Sequence, residues 1–218
     1  MVQKNRRASQ PPSKIESPAQ PKRRGRPRAY QPDIALGKAL ALFRKSGFAA
    51  TSLDDLSAAT GMNRPSLYGA FGDKRELYLK SYQRYRDDAR AATVDLFREE
   101  MPIRKRLMRL YGVALDIYLN GEKPRGCFTV MTAGSEAVDD PDIRAMVLEA
   151  LAELDKAFVA CFRRAKETGE LSPSADGQAL GLLASAILHT IAIRARAGVP
   201  RRELEAIIKS AVDVMVGQ

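Results

Sequence analysis

The chain has 218 residues and a mass of 24.0 kDa, which allows one large domain or two small ones. Two cysteines and a single histidine exclude a disulfide framework and a multi-histidine metal site within one chain. The formal net charge is +10, and residues 1–30 hold nine lysines and arginines against one glutamate, whereas residues 81–218 hold twenty of each sign. This basic N-terminal segment, followed by a C-terminal part without net charge, predicts that a polyanion binds the N-terminal part.

The sequence shows no stretch that approaches the roughly 20 apolar residues needed to cross a bilayer, so we expect no integral membrane protein. No apolar signal segment opens it, and we expect a cytoplasmic protein that lies on the nucleoid when it binds DNA. We expect no cofactor and no bound metal.

Residues 1–31 are rich in proline, glutamine, serine, lysine and arginine and hold almost no apolar side chains. Such a segment cannot bury enough apolar surface to offset the entropy lost on ordering. We therefore expect a disordered basic tail over residues 1–31.

Residues 32–80 have the pattern of three short helices and the start of a fourth. The first begins at a proline and ends at Gly47, a C-terminal cap. Ser52 opens the second, with Asp55 three residues on in an acidic variant of the capping box. Asn63 caps the third after a tight connection. Two short helices joined by a tight turn predict a helix–turn–helix DNA-binding domain over residues 32–80.

Residues 81–218 continue with apolar side chains at helical spacing and without the alternation of a strand. Further helices are predicted from Lys74 to about Glu100, Ile103 to Leu119, Asp140 to about Thr168, about Ala175 to Ala197 and Pro200 to Val216, with a short apolar run from Cys127 to Thr132. The sequence therefore predicts an all-α fold, in which a helical domain over residues 81–218 follows the N-terminal three-helix domain.

The third helix is the predicted recognition helix, because the second helix of this motif projects its first turn into the major groove. Its front carries Asn63, Arg64, Pro65 and Ser66, and the guanidinium of Arg64 has the fork that reads guanine. The predicted phosphate contacts are Thr51, Ser52, Tyr68 and Lys74. The last of these opens the fourth helix, where unpaired backbone amides also favour an anion.

Several of these residues form a family pattern, namely Gly47, Phe48, Thr51, Leu56, Ala59, the segment Thr60–Lys74 and Leu77. Through them the sequence resembles the TetR family of bacterial transcriptional repressors. It departs from the family at Ala70, where histidine is frequent, and at Arg75, where an acidic residue is common. The resemblance implies a sequence-specific regulator, not an enzyme, whose N-terminal helices bind a double-stranded DNA operator. It also implies a homodimer and a repressor that a small-molecule effector, held by the remaining helices, releases from DNA.

The basic tail contains Arg24-Gly25-Arg26-Pro27-Arg28, which is similar to the core of an AT-hook. Glycine lets a backbone lie deep in a narrow minor groove, and Arg24, Arg26 and Arg28 would follow the negative potential of A·T-rich DNA. We favour this DNA contact over the alternative of a solvated tail.

A pocket for the effector is predicted among the middle helices from apolar character and position. Its predicted lining residues are Tyr111, Tyr118, Phe128, Met131, Met146 and His189. Such a pocket has few charges, which favours an apolar or aromatic effector. The dimer contact is predicted through about residues 175–216, whose small residues allow close approach. The apolar side chains of this region could form the core of one chain or meet a second copy, and we expect one stripe for each; they are Leu183, Ile187, Ile191, Leu204, Ile207, Ile208, Ala211 and Met215.

Two other functions stay open at this point. An architectural protein could bind A·T-rich DNA through its tail without an effector. A small α-helical enzyme could use His189 or Cys127, although no catalytic partner stands at a recognisable spacing from either. Cys127 and Cys161 both lie in apolar runs, which favours buried thiols over a redox switch.

Overall fold

The computed structural model of the protein describes residues 32–121 and 124–217. Within these residues the chain forms ten helices and no strand, which confirms the predicted all-α class. The helices are α1 (Pro32–Ser46), α2 (Leu53–Thr60), α3 (Arg64–Phe71), α4 (Lys74–Arg98), α5 (Ile103–Leu119), α6 (Phe128–Ala133), α7 (Glu136–Asp139), α8 (Pro141–Glu167), α9 (Gly177–Arg196) and α10 (Arg201–Val216). The predicted tail over residues 1–31 lies outside the described residues.

The short helices α2 and α3 begin where their capping residues stand in the sequence. The Ser52 hydroxyl accepts a hydrogen bond from the Asp55 amide (3.0 Å), and the Asp55 carboxylate accepts one from the Ser52 amide (2.9 Å). Gly61 ends α2 in a left-handed conformation, with φ of 74°. The Asn63 side chain accepts a hydrogen bond from the Ser66 amide at 2.9 Å. These contacts satisfy amides that a helix start leaves unpaired, so the predicted turn between the two helices forms.

The connection between α5 and α8 is more helical than the sequence indicates. The short apolar run after Cys127 forms α6, of six residues, and α7 follows with four. Elements of this length are too short for a periodic pattern, which needs a window of about 11 residues. Sequence reasoning therefore located α6 only as an apolar run and missed α7.

The fourth helix joins the N-terminal helices to the rest of the chain through aromatic packing. The Tyr78 ring packs edge to face on Phe43 of α1 (5.1 Å between centroids) and on Phe128 of α6 (5.4 Å). Tyr82 and Tyr85 pack on the same Phe128 ring at 5.8 and 5.7 Å. Such aromatic pairs stabilise a core beyond the area that they bury. The N-terminal helices thus share a core with later elements.

A second core lies among α5, α8, α9 and α10. In this core α8 and α9 come close together at Gly181, where an added Cβ would lie 2.5 Å from the Cα of Val159. Real Cβ atoms do not come that close, so this crossing requires glycine at position 181. The buried face of α8 contributes Phe158 and Phe162 beside the crossing.

The helix α9 is long and apolar enough to cross a membrane by length and composition alone. The expectation that no stretch approaches such a length is therefore wrong. In the fold, Ala184 and Ile191 are fully buried among neighbouring helices, whereas Leu182, Leu183 and Ile193 of the same helix are exposed. The apolar composition thus has a physical cause in the fold, because α9 has one face in the core and a second apolar face at the surface.

The apolar stripe of α10 lies inside the single chain. Leu204, Ile208 and Met215 are each at most 4% exposed and pack in the core with α5 and α9. An ion pair between Arg104 of α5 and Asp213 of α10 (2.5 Å) lies beside this packing. These three residues therefore belong to the intramolecular stripe of the predicted dimer region, and exposed apolar residues of α9 such as Leu183 remain for a second copy.

Candidate nucleic-acid interface and adjoining cavity

The first turn of α3 faces solvent, as the predicted recognition helix requires. Arg64, Pro65, Ser66, Tyr68 and Gly69 are all exposed, and a Cβ added at Gly69 would meet no atom within 4 Å. On the opposite side, the helix buries a leucine and a phenylalanine against the N-terminal core. The described residues therefore leave the front of α3 open to a groove of DNA.

An acidic residue of α2 holds Arg64 in place. The Arg64 guanidinium donates from Nε (3.1 Å) and Nη2 (2.7 Å) to the Asp54 carboxylate. Both side chains are largely exposed, at 55% and 76%. This hydrogen-bonded partner raises the pKa of Arg64 above its usual value. The sequence placed Arg64 correctly on the exposed turn but gave no sign of its partnership with Asp54.

The predicted phosphate contacts differ in where their polar atoms lie. Thr51 is only 1% exposed, and its hydroxyl donates to the Gly47 carbonyl at 2.6 Å, so its side chain is not at the surface. The Ser52 hydroxyl is exposed and donates to Asp55 at 2.6 Å. The Lys74 ammonium lies 4.2 Å from the centroid of the Phe48 ring. Lys74 thus stays available to an anion, whereas the Ser52 hydroxyl is engaged with Asp55 and the Thr51 hydroxyl is engaged in capping α1.

Arg75 joins the DNA-binding helices to the rest of the chain. Its guanidinium donates to Asp140 (2.6 and 2.9 Å) and to Asp142 (2.8 Å) at the start of α8. These hydrogen bonds lower the pKa of Asp140 to about 2. Arg75 stands where the family commonly has an acidic residue, and these two carboxylates balance the positive charge that it brings.

A second link centres on Glu136 of α7. Its carboxylate accepts hydrogen bonds from the Phe48 amide (3.1 Å) and from the Tyr78 hydroxyl (3.1 Å). The Tyr78 hydroxyl also lies 2.8 Å from the Thr132 hydroxyl. Burial and the nearby carboxylate raise the pKa of Tyr78 far above its usual value, so this tyrosine stays neutral. The turn after α1, which leads into α2, is thereby tied to α6 and α7.

A cavity of about 450 Å³ lies between α4, α5 and α8. Phe97, Leu110 and Phe158 line its apolar wall, and Tyr85 and Tyr118 lie at its polar end. The volume is within the range of small-molecule sites, which run from about 300 to 1,000 Å³. A cavity of this size and lining can hold an organic molecule with a substantial apolar part.

Among the described residues that line this cavity, Tyr118 is the one that the sequence placed in a pocket. The other five selected residues, which lie elsewhere, are Tyr111, Phe128, Met131, Met146 and His189. Met131 lines a separate shallow groove beside Phe48, and Met146 packs on the aromatic core. Apolar character marks core and pocket wall alike, so the sequence had no means of separating the two.

The remaining three selected residues have structural contacts. The Tyr111 hydroxyl is buried and donates to the Ala184 carbonyl at 2.9 Å. Phe128 lies beneath the tyrosines of α4. His189 is half-buried on α9, and burial lowers its pKa while Asp155 opposes that shift. Across residues 32–121 and 124–217, no three His, Cys, Asp or Glu side chains come together as a metal site would require.

The contacts of Arg44 link α1 to the polar end of the cavity. Its guanidinium donates to the Ile117 carbonyl (3.1 Å) and the Gly126 carbonyl (3.2 Å) and lies 5.1 Å from the Tyr85 ring centroid. The Tyr85 hydroxyl in turn donates to the Cys127 thiol at 3.4 Å. Sequence analysis missed Arg44, because a basic residue in the last turn of a helix is typical of any helix C-terminus.

The two cysteines differ in their surroundings. Cys161 is buried in the core, and burial raises the pKa of its thiol, as expected for a small apolar residue. Cys127 is half-buried and lines the cavity, so the expectation of a buried thiol is wrong for this residue. Its apolar sequence neighbours pack in the core while its own side chain lies at the cavity edge.

The exposed turn of α3, the capped α2 and the larger helical body behind them define a helix–turn–helix DNA-binding protein with a second helical domain. Residues 35–80 match the family model described as "Bacterial regulatory proteins, tetR family". Residues 104–211 match the model described as "Tetracyclin repressor-like, C-terminal domain". The chain belongs to the TetR family, and it is a DNA-binding transcriptional regulator and not an enzyme.

Relatives of known name agree with this membership. The chain is 32% identical over 186 residues to the HTH-type transcriptional repressor ComR of Escherichia coli (strain K12). This match covers 84% of this chain and 88% of ComR. A solved structure shows a cysteine mutant of the TetR family regulator CifR complexed with a 26-bp double-strand operator DNA. Its sequence is 27% identical to this chain, and the two structures superpose with a TM-score of 0.77. The match covers 86% of this chain and 98% of the CifR chain. A TetR family regulator from Agrobacterium tumefaciens, 20% identical with a TM-score of 0.76 over 85% and 97% of the two chains, shares the fold.

Proposed function

We propose that this regulator is a homodimeric repressor whose affinity for operator DNA falls when a small molecule occupies the cavity between α4, α5 and α8. The observation that carries the proposal is the chain of contacts from the cavity to α1. Cys127 and Tyr85 line the cavity, and Tyr85 lies against the Arg44 guanidinium, which belongs to the DNA-binding helices. A ligand that moves Tyr85 therefore acts on the orientation of α1.

The front of α3 supplies the DNA contacts in this proposal. Arg64 reads base edges, with Asn63, Pro65 and Ser66 beside it in the first turn. Tyr68 and Lys74 contact phosphates, and the Thr51 and Ser52 hydroxyls support them by holding the turn before α2 and the start of α2. The tail arginines Arg24, Arg26 and Arg28 add minor-groove contacts.

The proposed dimer contact lies on α8 and α9. Leu148 of α8 is 58% exposed, and Leu182, Leu183 and Ile193 of α9 are 44 to 57% exposed. The two helices pack against each other in the monomer, so these side chains belong to adjacent faces. A second copy related by two-fold symmetry would bury both faces in a four-helix contact. The two recognition helices would then enter successive major grooves, about 34 Å apart.

The named relatives support the repressor assignment. ComR is named a transcriptional repressor, and the CifR mutant is complexed with double-strand operator DNA. A repressor of this kind works by occupying its operator until a ligand stabilises a conformation in which the two recognition helices no longer match the half-sites.

Capture of sheared genomic DNA by the full chain tests this function. We expect discrete fragments that share one two-fold symmetric site, because each subunit of a dimer reads one half-site. Diffuse capture of A·T-rich fragments without a common symmetric site would overturn the proposal.

A second candidate is an architectural protein that binds A·T-rich DNA through its tail, and the segment Arg24–Arg28 favours it. Deleting residues 1–30 separates the two functions. A repressor keeps its specific fragments with weaker affinity, because α3 still reads the bases. An architectural protein loses binding altogether.

A further inference from the structure

The cavity differs from the apolar pocket that the sequence suggested, because several cations are among the residues that line it. Four basic side chains and one carboxylate line it, namely Arg86, Arg90, Arg98, Lys156 and Glu153. Arg86 forms ion pairs with Glu149 (2.9 Å) and Glu153 (3.0 Å), and these two carboxylates more than balance its single positive charge. Among the described residues, Arg90, Arg98 and Lys156 form no ion pair and no side-chain hydrogen bond.

These three cations lie along one seam between α4 and α8. Arg86 joins the two helices at one end of the seam, and Arg164 joins α8 to Glu100, just beyond α4, at the other (3.2 Å). The helices therefore run side by side in the same direction. Between the two ion pairs, Arg90 and Arg98 face the seam from α4 and Lys156 faces it from α8. Arg90, Arg98 and Lys156 are exposed and therefore lie at the opening of the cavity, where their three positive charges outweigh the one net negative charge of Arg86 with Glu149 and Glu153.

The interior of the cavity has the opposite character. Behind the seam the wall is formed by residues such as Val94, Phe97, Leu154 and Phe158. Among the polar groups of the lining, the Tyr85 hydroxyl already has a partner, since it donates to the Cys127 thiol at 3.4 Å. An occupant therefore meets apolar surface inside and unpaired donors at the opening.

We infer that the cavity binds an amphipathic anion, with an apolar body inside and a carboxylate or similar acidic group at the seam. Charge-assisted hydrogen bonds from Arg90, Arg98 and Lys156 hold the acidic group. The apolar body fills the wall formed by α4, α5 and α8. This inference names the chemical class of the ligand and rests on the proposed function for the ligand's effect on DNA. Its own test does not involve DNA.

The test is calorimetric titration of the full chain, without DNA, with alkyl probes of six to twelve carbons below their aggregation concentrations. Each chain length is offered as the carboxylate, the primary alcohol and the trimethylammonium salt. We expect the carboxylate to bind about tenfold more tightly than the alcohol of equal length, the change that one hydrogen bond to a charged group supplies. Equal affinity for all three head groups, or binding of none, would overturn the inference.

A charge variant locates the binding site. The triple variant Arg90→Gln, Arg98→Gln, Lys156→Gln should bind carboxylate and alcohol with equal affinity and keep the alcohol affinity of the wild type. The matched control Lys38→Gln, Lys105→Gln, Arg202→Gln removes three exposed cations away from the seam. It should keep the tenfold preference. An unchanged preference in the seam variant, or its loss in the control, would contradict the assignment.

The same probes separate this inference from the proposed function. If the carboxylate binds through the seam but leaves DNA affinity unchanged, the ligand class stands and the proposed release from DNA fails. If DNA capture gives symmetric sites while no carboxylate binds, the regulator stands and the ligand class fails.

Discussion

The guanidinium of Arg64 at the start of α3 is held by the carboxylate of Asp54 at the start of α2, with Nη2–oxygen distances of 2.7 Å to both carboxylate oxygens. The side chain proposed to read bases is therefore oriented before DNA arrives. The carboxylate also repels the phosphate backbone. The orientation of Arg64 favours selectivity for the operator, whereas the repulsion of phosphates lowers the affinity for any DNA.

Removing this carboxylate is our first prediction. Asp54→Asn should raise the affinity for unrelated duplexes severalfold, because one negative charge leaves the DNA-facing surface. It should raise affinity for the selected site less, because Arg64 loses its orientation, so the ratio of specific to non-specific affinity falls. Fluorescence anisotropy with both duplexes measures this ratio. Asp95→Asn, on α4 beyond the N-terminal helices, should leave it unchanged; a higher ratio in Asp54→Asn would contradict the proposed role.

Lys74 should act on every sequence alike. Its ammonium lies beside Phe48 at the start of α4 and reads no base edge in our account. Lys74→Ala should weaken all duplexes by the same factor and lower the slope of log affinity against log salt by about one. Anisotropy titrations at four salt concentrations give both quantities. A sequence-dependent loss would instead make Lys74 a reader of bases.

Arg44 should transmit the state of the cavity to α1. Arg44→Met leaves the Ile117 and Gly126 carbonyls without their donor and should cost about 1–3 kcal/mol of unfolding free energy. Ligand affinity should persist, but saturating ligand should no longer change the DNA affinity. Tyr85→Phe, which keeps the ring beneath Arg44 and removes only the hydroxyl bonded to Cys127, should retain part of the effect. Full ligand response in Arg44→Met would exclude this route.

The unfolding free energy should fall as pH rises above about 10. Burial raises the pKa of Tyr82 to about 12 in the folded chain, whereas an unfolded tyrosine titrates near pH 10. Between these values the unfolded chain releases a proton that the folded chain keeps, so stability present below pH 10 is lost at about 1.4 kcal/mol per pH unit for this one group. We expect a plot of unfolding free energy against pH, measured by urea unfolding between pH 9 and 12, to fall less steeply for Tyr82→Phe than for the wild type. The difference should correspond to one proton. Equal slopes for the two proteins would contradict the burial of this hydroxyl.

The crossing of α8 and α9 predicts opposite outcomes for two glycine substitutions. Gly181→Ala places a Cβ against the Val159 backbone and should destabilise the protein by about 1–3 kcal/mol. It should also weaken the dimer, because the two helices carry the proposed contact. Gly112→Ala, in a helix position with open space around it, should stabilise by about 0.5–1 kcal/mol. Urea unfolding and sedimentation velocity measure the two effects; a neutral Gly181→Ala would show that the crossing can widen at no cost.

The sequence was sufficient for the N-terminal helices because each begins or ends at a residue with local capping chemistry. Ser52, Gly61 and Asn63 act on amides and carbonyls within a few positions of themselves, so their spacing alone defines the turn. The exposed front of α3 followed from the same local pattern. Local signals of this kind need no knowledge of the tertiary fold.

The cavity and the dimer contact could not be predicted in this way. Both depend on how the apolar faces of helices distant in sequence pack against one another. Phe128 and Phe158 look alike in sequence, yet one fills a core between tyrosines and the other lines the cavity. The stripe of α10 has a strong helical period and is nevertheless internal. Long-range partners such as Arg44 with Gly126 leave no trace in residue spacing.

The most direct test of the central claim is selection of bound sequences from a random DNA pool at physiological salt, with the wild type and Arg64→Ala in parallel. The account predicts a two-fold symmetric site with an A·T-rich flank for the wild type. For the variant it predicts the same site with base preference lost at one symmetric pair of positions. An asymmetric A·T-rich preference in the wild type, or an identical motif in Arg64→Ala, would contradict the account.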